Sequence, residues 1–235
     1  MKIDIVGCHC TWQKELSTSF IIDDIIAVDT PQESFKTLLV DYDISKWKYI
    51  FITHFHSDHF MSLHLVADVL YKRRIKDVTI IGPKGIKQKL LDIVKIVEAD
   101  HLINFIEENL KFIECENNKR IQLGQYKIKM FRMLHQSLDA YGYTIQKDNK
   151  TAGFSGDTAL CNNLIKIIKA SDVVFVDCSG IPVNNKHLSV EEILSLKQEF
   201  PSTNIIPVHL TVSSEEVLKE KNIIIPYQGQ IINLD

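Results

Sequence analysis

Apolar and polar positions along the chain separate strands from helices. The run Tyr49–Ile52 is unbroken apolar and aromatic, which is the pattern of a strand buried on both faces of a sheet. The segment Gly85–Val97 instead places its apolar residues at helical spacing, which predicts an amphipathic helix with one buried side. Strand patterns come first in each half of the chain and then alternate with helical patterns.

The same two patterns assign most of the chain to predicted elements. Strands are predicted over Lys2–Val6, Ser17–Ile22, Ile25–Asp29, Tyr49–Ile52, Val78–Ile81, Lys111–Cys115, Gln125–Met133, Tyr141–Gln146, Thr151–Phe154, Asp172–Asp177, Asn204–Val208, Ile223–Ile225 and Gln230–Leu234. Helices are predicted over Phe35–Tyr42, Met61–Arg73, Gly85–Val97, Cys161–Ala170, Glu191–Phe200 and Ser213–Lys221. Two sheets packed face to face with helices outside would bury all of these apolar faces together. We therefore expect an α/β fold, in one domain that spans residues 1–235.

Composition and charge are those of an ordinary globular protein. Apolar residues make up 45% of the chain and charged residues 24%, and the formal net charge is −3. Two bound divalent cations would nearly neutralise that charge, so neither form has a strong overall field. Wide, non-specific nucleic-acid binding needs a basic surface, and extended nucleic acid is therefore disfavoured as a partner.

The cysteines and the N-terminus indicate a compartment. The five cysteines are scattered and odd in number, and Lys2–Val6 alternates like a strand rather than like a signal peptide, which predicts a cytoplasmic protein. No segment reaches the roughly eighteen apolar residues of a membrane span. Cys8 and Cys10 flank His9 in a short loop that could bind a structural metal, but two thiols and one imidazole do not complete a tetrahedral site. Free thiols are the favoured interpretation.

Four candidate metal ligands directly follow the apolar run at residues 49–52. They are His54, His56, Asp58 and His59. In an extended segment, residues two apart point the same way, so His54 and His56 can reach one ion together. A turn beginning near Ser57 would let Asp58 and His59 face a second ion. Imidazole and carboxylate ligands suit zinc, manganese or iron. The alternative is a polar loop with coincidental histidines.

Three more residues of the same ligand types stand where later strands end. They are His135, Asp157 and His209. A rigid sheet delivers strand-end side chains into a site, so we expect all three to be ligands. Taken alone, His135 could be a structural histidine and Asp157 a helix N-cap. The histidines His64 and His101 fall in helical stretches and are expected on the surface or the edge of the core.

The spacing H-x-H-x-D-H after a hydrophobic strand, with the later ligands in this order, resembles the metallo-β-lactamase superfamily of hydrolases. The resemblance runs from the first hairpin to about Leu210 and implies a four-layer αββα sandwich with the site between the sheets at one edge. It implies that one ion is held by His54, His56 and His135. It implies that a second ion is held by Asp58, His59 and His209. Asp157 would bridge the two ions.

The chemistry of two ions leads to the same division of the candidate ligands between two metal sites. Cations roughly 3.5–4 Å apart can share a hydroxide and lower the pKa of its parent water, so a nucleophile exists near neutral pH. A bridging ligand needs two donor oxygens, which the carboxylate of Asp157 offers. We expect two divalent ions, zinc first and manganese or iron next, and we expect Asp58 to serve catalysis as well as metal binding.

His187 opens the segment His-Leu-Ser-Val-Glu-Glu, in which Ser189 is a plausible helix N-cap. The phosphodiesterase branch of the superfamily has a histidine before such a segment, beside the metals. By this resemblance His187 would donate a proton to the leaving oxygen or bind a phosphoryl oxygen. An exposed histidine before a helix is the alternative.

The segments Gly-Asp-Thr, Val-Asp-Cys-Ser and His-Leu-Ser also resemble the phosphodiesterase branch, which includes the tRNA 3′-processing endonuclease and phosphoribosyl cyclic phosphodiesterases. The tRNA enzyme carries a long arm between its third histidine and bridging aspartate, whereas 22 positions separate His135 from Asp157. We therefore predict a metal-dependent phosphodiesterase that acts on a small or cyclic phosphodiester.

Several alternatives stay open at this stage. The same metals could hydrolyse a carboxylic ester, lactone or thioester, a reaction that needs no phosphate-binding His187, or the chain could be a metal-binding module for interaction or sensing. Asp29 ends the first hairpin and either orients a ligand histidine or serves the turn. The loops Leu138–Tyr141 and Ile181–Lys186 are expected to shape the pocket. A homodimer is also possible.

Overall fold

The protein is a sandwich of two β-sheets with helices on both outer sides. We describe it from a computed structural model, which describes residues 1–180 and 185–235. Its strands are β1 (Lys2–Gly7), β2 (Ser19–Ile22), β3 (Ile26–Val28), β4 (Tyr49–Phe51), β5 (Thr79–Gly82), β6 (Lys111–Glu114), β7 (Arg120–Leu123), β8 (Tyr126–Arg132), β9 (Tyr141–Lys147), β10 (Lys150–Phe154), β11 (Val173–Asp177), β12 (Asn204–Val208) and β13 (Ile231–Asn233). Its helices are α1 (Phe35–Asp41), α2 (Ser57–Phe60), α3 (Leu63–Lys72), α4 (Ile86–Ile96), α5 (Ile103–Asn109), α6 (Asn162–Lys169), α7 (Val190–Glu199) and α8 (Val212–Glu220).

The two sheets differ in size, but each combines parallel and antiparallel strands. Among the described residues, the first sheet has the strand order β13-β1-β2-β3-β4-β5-β6 and the second has β12-β11-β10-β9-β8-β7. Strands β3 to β6 run parallel to one another, and so do β10 to β12, whereas the remaining neighbours are antiparallel. Ligand sites in such sheets form beyond the carboxyl ends of the parallel strands.

Three apolar clusters define the four layers of the αββα sandwich. The middle cluster lies between the sheets and contains Phe51, Tyr143 and Phe175. A second cluster joins the outer face of the first sheet to helices α1 to α5, and a third joins the second sheet to α6, α7 and α8. Both faces of β4 and β11 are therefore buried, which explains why these strands read as continuous apolar runs.

One hairpin and one helix cap follow from their turn and capping residues. Asp23 and Asp24 both have positive φ between β2 and β3, a conformation that Asp adopts more readily than most residues. Helix α7 begins at a capping box, in which Ser189 Oγ accepts from the Glu192 N–H and the Glu192 carboxylate accepts from the Ser189 N–H. The predicted N-cap at Ser189 is thus confirmed.

Most of the predicted elements are present within a residue or two of their expected ends, and two differences stand out. The predicted strand Ile223–Ile225 is wrong, because this segment is irregular and its Ile223 and Ile225 pack against the third apolar cluster without a partner strand. Strand β7 was not predicted, because its exposed Arg120 and Gln122 dilute the apolar signal. Across residues 1–180 and 185–235, the helices are too short or too polar to traverse a bilayer.

Candidate metal centre

All seven predicted ligands lie at one edge of the sandwich, where strands of both sheets end. His54 follows β4, and the short helix α2 turns Asp58 and His59 toward the same region. The second sheet supplies the residues that follow β8, β10 and β12, which are His135, Asp157 and His209. Six of the seven side chains are buried and His56 is exposed, so the group opens to solvent on the side of His56.

The first cluster joins three histidines and one carboxylate. Ligand atoms of His54, His56, His135 and Asp157 all lie within 4.8 Å of one another. His54 Nε2 is 2.9 Å from His56 Nδ1, and His135 Nε2 is 3.4 Å from the same atom. Three imidazole nitrogens therefore converge on one point. The spacing of the motif predicted this convergence for His54 and His56.

The second cluster combines Asp58, His59 and His209, whose ligand atoms also lie within 4.8 Å of one another. His209 Nε2 is 3.3 Å from Asp58 Oδ2. The φ of His209 is +56°, an uncommon conformation for a histidine, and the backbone is held there because the His209 N–H donates to Thr18 Oγ1 at 3.0 Å.

Asp157 stands between the two clusters. One carboxylate oxygen, Oδ2, is 3.6 Å from His54 Nε2 and 3.4 Å from His209 Nε2, whereas Oδ1 is 3.3 Å from His59 Nε2. Gly156 makes this placement possible, because its φ is +59° and a Cβ there would lie 2.9 Å from Cβ of Thr53.

Contacts behind the ligands fix which ring nitrogen faces the centre. His59 Nδ1 is 2.8 Å from Asp29 Oδ2, while Asp29 Oδ1 accepts from the Thr53 N–H at 2.8 Å. His135 Nδ1 donates to the carbonyl oxygen of Lys186 at 2.9 Å. Both rings then present Nε2 to the centre. Of the two roles considered for Asp29, the structure supports the orientation of a histidine.

Asp177 is a site residue that the sequence analysis missed. This fully buried carboxylate ends β11 and lies 2.8 Å from Nδ1 of His187 through its Oδ2. Its Oδ1 is 3.6 Å from Nδ1 of His209. Two signals were available: its position at the end of a buried parallel strand, between the strand ends that supply Asp157 and His209, and its place in the segment Val-Asp-Cys-Ser.

The electrostatics of the centre favour a cation. Burial lowers the pKa of His59, but the nearby carboxylates of Asp157 and Asp29 outweigh it and raise that pKa to about 10. Burial, with the nearby His59, lowers the pKa of His54 well below its usual range, which keeps this imidazole neutral. Burial raises the pKa of Asp157, but the charges of His209, His59 and His54 outweigh it and hold that pKa well below its usual range.

These residues fit divalent metal ions. His59 Nε2 and Asp157 Oδ1 are buried and have no hydrogen-bond partner within the described residues, although both point into the centre. Buried polar atoms are normally satisfied, and a bound cation would satisfy these two. The donors are imidazole nitrogens and carboxylate oxygens, the ligand set of zinc and of neighbouring first-row metals.

A cavity of about 450 Å³ gives access to the centre. Its lining includes His56, Asp58, His187 and the exposed Trp12. The loop Leu138–Tyr141 does not line it, contrary to expectation, because the Tyr141 N–H donates to the Thr53 carbonyl and ties this segment into the sheet. Of the second expected loop, 181–186, residues 181–184 lie outside the described residues.

The remaining histidines and cysteines named in the sequence lie apart from the clusters. His64 Nδ1 donates to the Met61 carbonyl, and His101 is exposed beside Asp68. His9 Nε2 is 3.1 Å from Glu215 Oε2. Burial, with the nearby acidic side chains, raises the pKa of Cys8 to about 12, which favours the thiol over the thiolate that a metal requires. That Cys8 and Cys10 are free thiols stays a prediction.

Comparison with known proteins identifies related sequences. The profile of the Beta-lactamase superfamily domain matches residues 26–210, more than three quarters of the chain. A ribonuclease Z of Picrophilus torridus is 30% identical over 142 residues, which cover 60% of this chain and 38% of that protein. The UPF0173 protein PF0020 of Pyrococcus furiosus is 24% identical over 216 residues, which cover 92% and 86% of the two chains. The chain thus spans little more than a third of the ribonuclease Z that it matches.

Solved structures share the fold over nearly the whole length. The metallo-beta-lactamase fold protein YhfI of Bacillus subtilis has a TM-score of 0.78 at 15% identity, with 98% of each chain covered. The short form of human tRNase Z has a TM-score of 0.77 at 13% identity, with both chains fully covered. A diphosphatase from the PhnP family has a TM-score of 0.74 at 15% identity, with 100% of this chain and 98% of that chain covered. By fold and by sequence, the chain belongs to the beta-lactamase superfamily domain family.

Proposed function

We propose that this protein is a metal-dependent phosphodiesterase that uses two divalent ions and acts on a small or cyclic phosphodiester. The observation that carries the proposal is the convergence of two ligand clusters on Asp157, with a histidine–aspartate pair beside them. Each cluster has at least three ligand atoms within 4.8 Å of one another. A single structural ion would not require two such clusters.

The chain would hold the ions with the residues of these clusters. His54, His56 and His135 would bind one ion, Asp58, His59 and His209 the other, and Asp157 both. Bound divalent ions supply Lewis acidity toward phosphoryl oxygens and lower the pKa of water. Zinc suits the nitrogen-rich ligand set best, with manganese and iron as the next candidates.

His187 would protonate the leaving alcohol. Its Nδ1 lies 2.8 Å from Asp177 Oδ2, a contact that fixes the orientation of the ring. The ring lies against those of His135 and His209, with centroids 5.0 and 5.4 Å away, which places it beside the ligands. Burial lowers the pKa of His187, but the hydrogen bond and charge of Asp177 outweigh it and raise that pKa. A raised pKa favours the protonated imidazole, which is the form that a general acid needs.

Asp58 would combine two tasks. Its oxygen Oδ2 lies 3.3 Å from His209 Nε2, and its side chain is 10% exposed on the wall of the cavity. Burial raises its pKa, but the hydrogen bond from His209 and the charges of His59 and His209 outweigh it and hold that pKa below its usual range. Asp58 therefore stays a carboxylate at neutral pH. In that form it would orient an attacking water by accepting its hydrogen bond.

The cavity and the relatives support this substrate class. About 450 Å³ suits a small ligand, and the segment between His135 and Asp157 forms only the β9–β10 hairpin rather than an arm. The names of the relatives, ribonuclease Z and a PhnP-family diphosphatase, support phosphate chemistry over carboxylic ester chemistry. The ribonuclease name also makes RNA a substrate to be tested.

Parallel assays of a phosphodiester and a carboxylic ester test this proposal. We expect the zinc-loaded protein to hydrolyse bis(p-nitrophenyl) phosphate faster than p-nitrophenyl acetate, and we expect Asp157→Asn to abolish the phosphodiester reaction. The variant His64→Ala is the matched control, because this histidine lies outside both clusters. Turnover of the acetate ester alone would instead favour an ester, lactone or thioester hydrolase. No turnover of either, with ions bound, would favour a metal-binding module.

A further inference from the structure

Trp12 is the most exposed large apolar side chain among the described residues. It is 89% exposed, and it lines the cavity that leads to the candidate metal centre, together with His56, Asp58 and His187. The other tryptophan, Trp47, is fully buried in the core. Trp12 therefore does not pack in the core, and its place on the cavity wall distinguishes it from the other exposed large apolar side chains of the described residues.

The backbone that carries Trp12 is anchored on both sides. The Cys10 N–H donates to the carbonyl of Leu210 at 3.0 Å, next to the ligand His209. Thr11 Oγ1 donates to Glu33 Oε1 at 2.8 Å, and Ser17 Oγ donates to the other oxygen of that carboxylate at 3.2 Å. The loop between β1 and β2 thus fixes where Trp12 stands relative to the metal ligands.

The rest of the cavity wall is polar around Trp12. Its other lining residues are Cys10, Thr11, Ser57, Asp157, Ser179, His209 and Thr211 beside those named above. Among the described lining residues, Trp12 has the one large apolar side chain, so the rest of the wall suits the phosphate of a substrate better than its organic part. A rigid indole at the rim offers that surface at a low cost in conformational entropy, because only two side-chain torsions must be fixed.

We propose that Trp12 is a stacking platform for a planar ring of the substrate, a nucleobase, whose phosphate lies at the candidate metal centre. This inference rests on the proposed phosphodiesterase function and narrows the substrate to a nucleotide-type phosphodiester. Every nucleobase presents a π-face to an aromatic side chain, so the platform would select for a base without selecting one sequence.

Quenching of tryptophan fluorescence reports directly on the stacking of a base against Trp12. Zinc is suited to the experiment because it has no redox chemistry that would quench fluorescence. Adenosine 5′-monophosphate and ribose 5-phosphate are the probes, since they differ by the base alone. We expect the adenosine probe to quench the wild-type tryptophan emission and to leave that of Trp12→Phe unchanged, because buried Trp47 is then the remaining tryptophan.

Calorimetric titration provides the matching affinities. We expect Trp12→Ala to weaken binding of adenosine 5′-monophosphate roughly tenfold and to leave that of ribose 5-phosphate within about twofold. Trp12→Tyr should restore most of the affinity, because it restores an aromatic face. Tyr227→Ala is the control: Tyr227 is 65% exposed but does not line the cavity, so this variant should bind both probes like the wild type.

The outcomes separate this inference from the function on which it rests. Equal affinity of the wild type for the two probes, or equal loss of both in Trp12→Ala, would overturn the platform even if phosphodiester turnover is observed. Base-dependent quenching without any phosphodiester turnover would retain the platform as a nucleotide-binding feature and overturn the proposed reaction.

Discussion

Asp177 shows what a single buried carboxylate does in this site. It contacts His187 at 2.8 Å and His209 at 3.6 Å, and its Oδ2 also accepts from the Thr158 N–H at 2.9 Å. One residue therefore links the candidate general acid to a candidate metal ligand. Its removal should disturb catalysis without removing any predicted ligand.

Asp177→Asn should lower kcat about 10- to 100-fold, the usual range for the loss of a residue that orients a site histidine. The loss should be larger for a nucleoside 2′,3′-cyclic phosphate than for bis(p-nitrophenyl) phosphate. An alkoxide needs a proton to leave, whereas p-nitrophenolate is a stable anion. The measurement is kcat on both substrates for Asp177→Asn and His187→Asn.

Asp68→Asn, in helix α3 and away from the clusters, is the control and should change neither value. Equal losses on the two substrates would argue that His187 binds a phosphoryl oxygen instead of donating a proton.

The candidate ligands could be singled out from the sequence because each follows a recognisable strand. His209 directly follows an apolar run, Asp157 follows one after Ser155 and Gly156, and the histidine motif has a fixed spacing. Asp177 was not predictable as a site residue, because a strand-end aspartate is common and its role depends on His187, ten positions away. The contact of Asp29 with His59 was considered but could not be distinguished from a turn role without coordinates.

Strand β7, which pairs with β8, illustrates how a strand at the edge of a sheet escapes prediction. Arg120 and Lys129 stand directly opposite each other across these antiparallel strands. Burial lowers the pKa of Lys129, and the neighbouring charges of Arg120 and Lys166 lower it further. Like charges in this position oppose strand pairing. Both the low strand propensity of β7 and its charge therefore argued against a strand. The geometry of the hairpin nevertheless forms it.

Lys129→Glu should therefore stabilise the protein. Replacing a like-charge pair by an opposite-charge pair across strands is worth about 0.5 kcal/mol, or a rise in Tm of roughly 1–2 °C, and the gain should shrink at high salt. The gain in Tm is measured by thermal denaturation at low and high ionic strength, with circular dichroism as the signal.

Lys127→Glu is the matched variant, since Lys127 lies on the same strand but opposite Gln122. Lys127→Glu should raise the Tm by less than Lys129→Glu does. Equal gains from the two substitutions would mean that general surface charge, rather than the pairing with Arg120, determines the effect.

At the scale of the whole molecule, Asp23 joins the two sheets at the turn of the first hairpin. Its Oδ1 accepts from the Lys2 N–H at 2.8 Å, and its Oδ2 accepts from Tyr126 Oη at 2.8 Å and from Lys147 Nζ at 2.9 Å. Tyr126 and Lys147 belong to the second sheet. The three apolar clusters could be anticipated from alternation along the strands, but this polar connection could not, because it joins residues more than a hundred positions apart.

Asp23→Asn should lower the free energy of unfolding by about 1–2 kcal/mol at neutral pH, with a fall in Tm of roughly 2–8 °C. Burial raises the pKa of Asp23, but Lys147, the Lys2 N–H and Tyr126 together outweigh it and lower that pKa. The carboxylate's contribution is therefore present above the unfolded pKa of about 4, and it is lost as the pH falls through the lower folded pKa.

Urea unfolding at several pH values measures the difference in the free energy of unfolding between wild type and Asp23→Asn. This difference should disappear in acid. Asp24→Asn, at the adjacent and more exposed turn position, should change stability little. A difference that persists unchanged at acid pH would show that Asp23 acts through turn geometry. A single transition at every pH would also test the prediction that residues 1–235 form one domain.

The number of bound metal ions tests the central claim most directly. Native mass spectrometry of the zinc-loaded protein should find two ions per chain in the wild type and in the control His101→Ala, which lies outside both clusters. His135→Ala and His209→Ala should each retain one ion, because each variant removes a ligand from one cluster only. A wild-type protein that binds no ion or one ion, or single variants that keep both, would contradict the two-ion centre around Asp157.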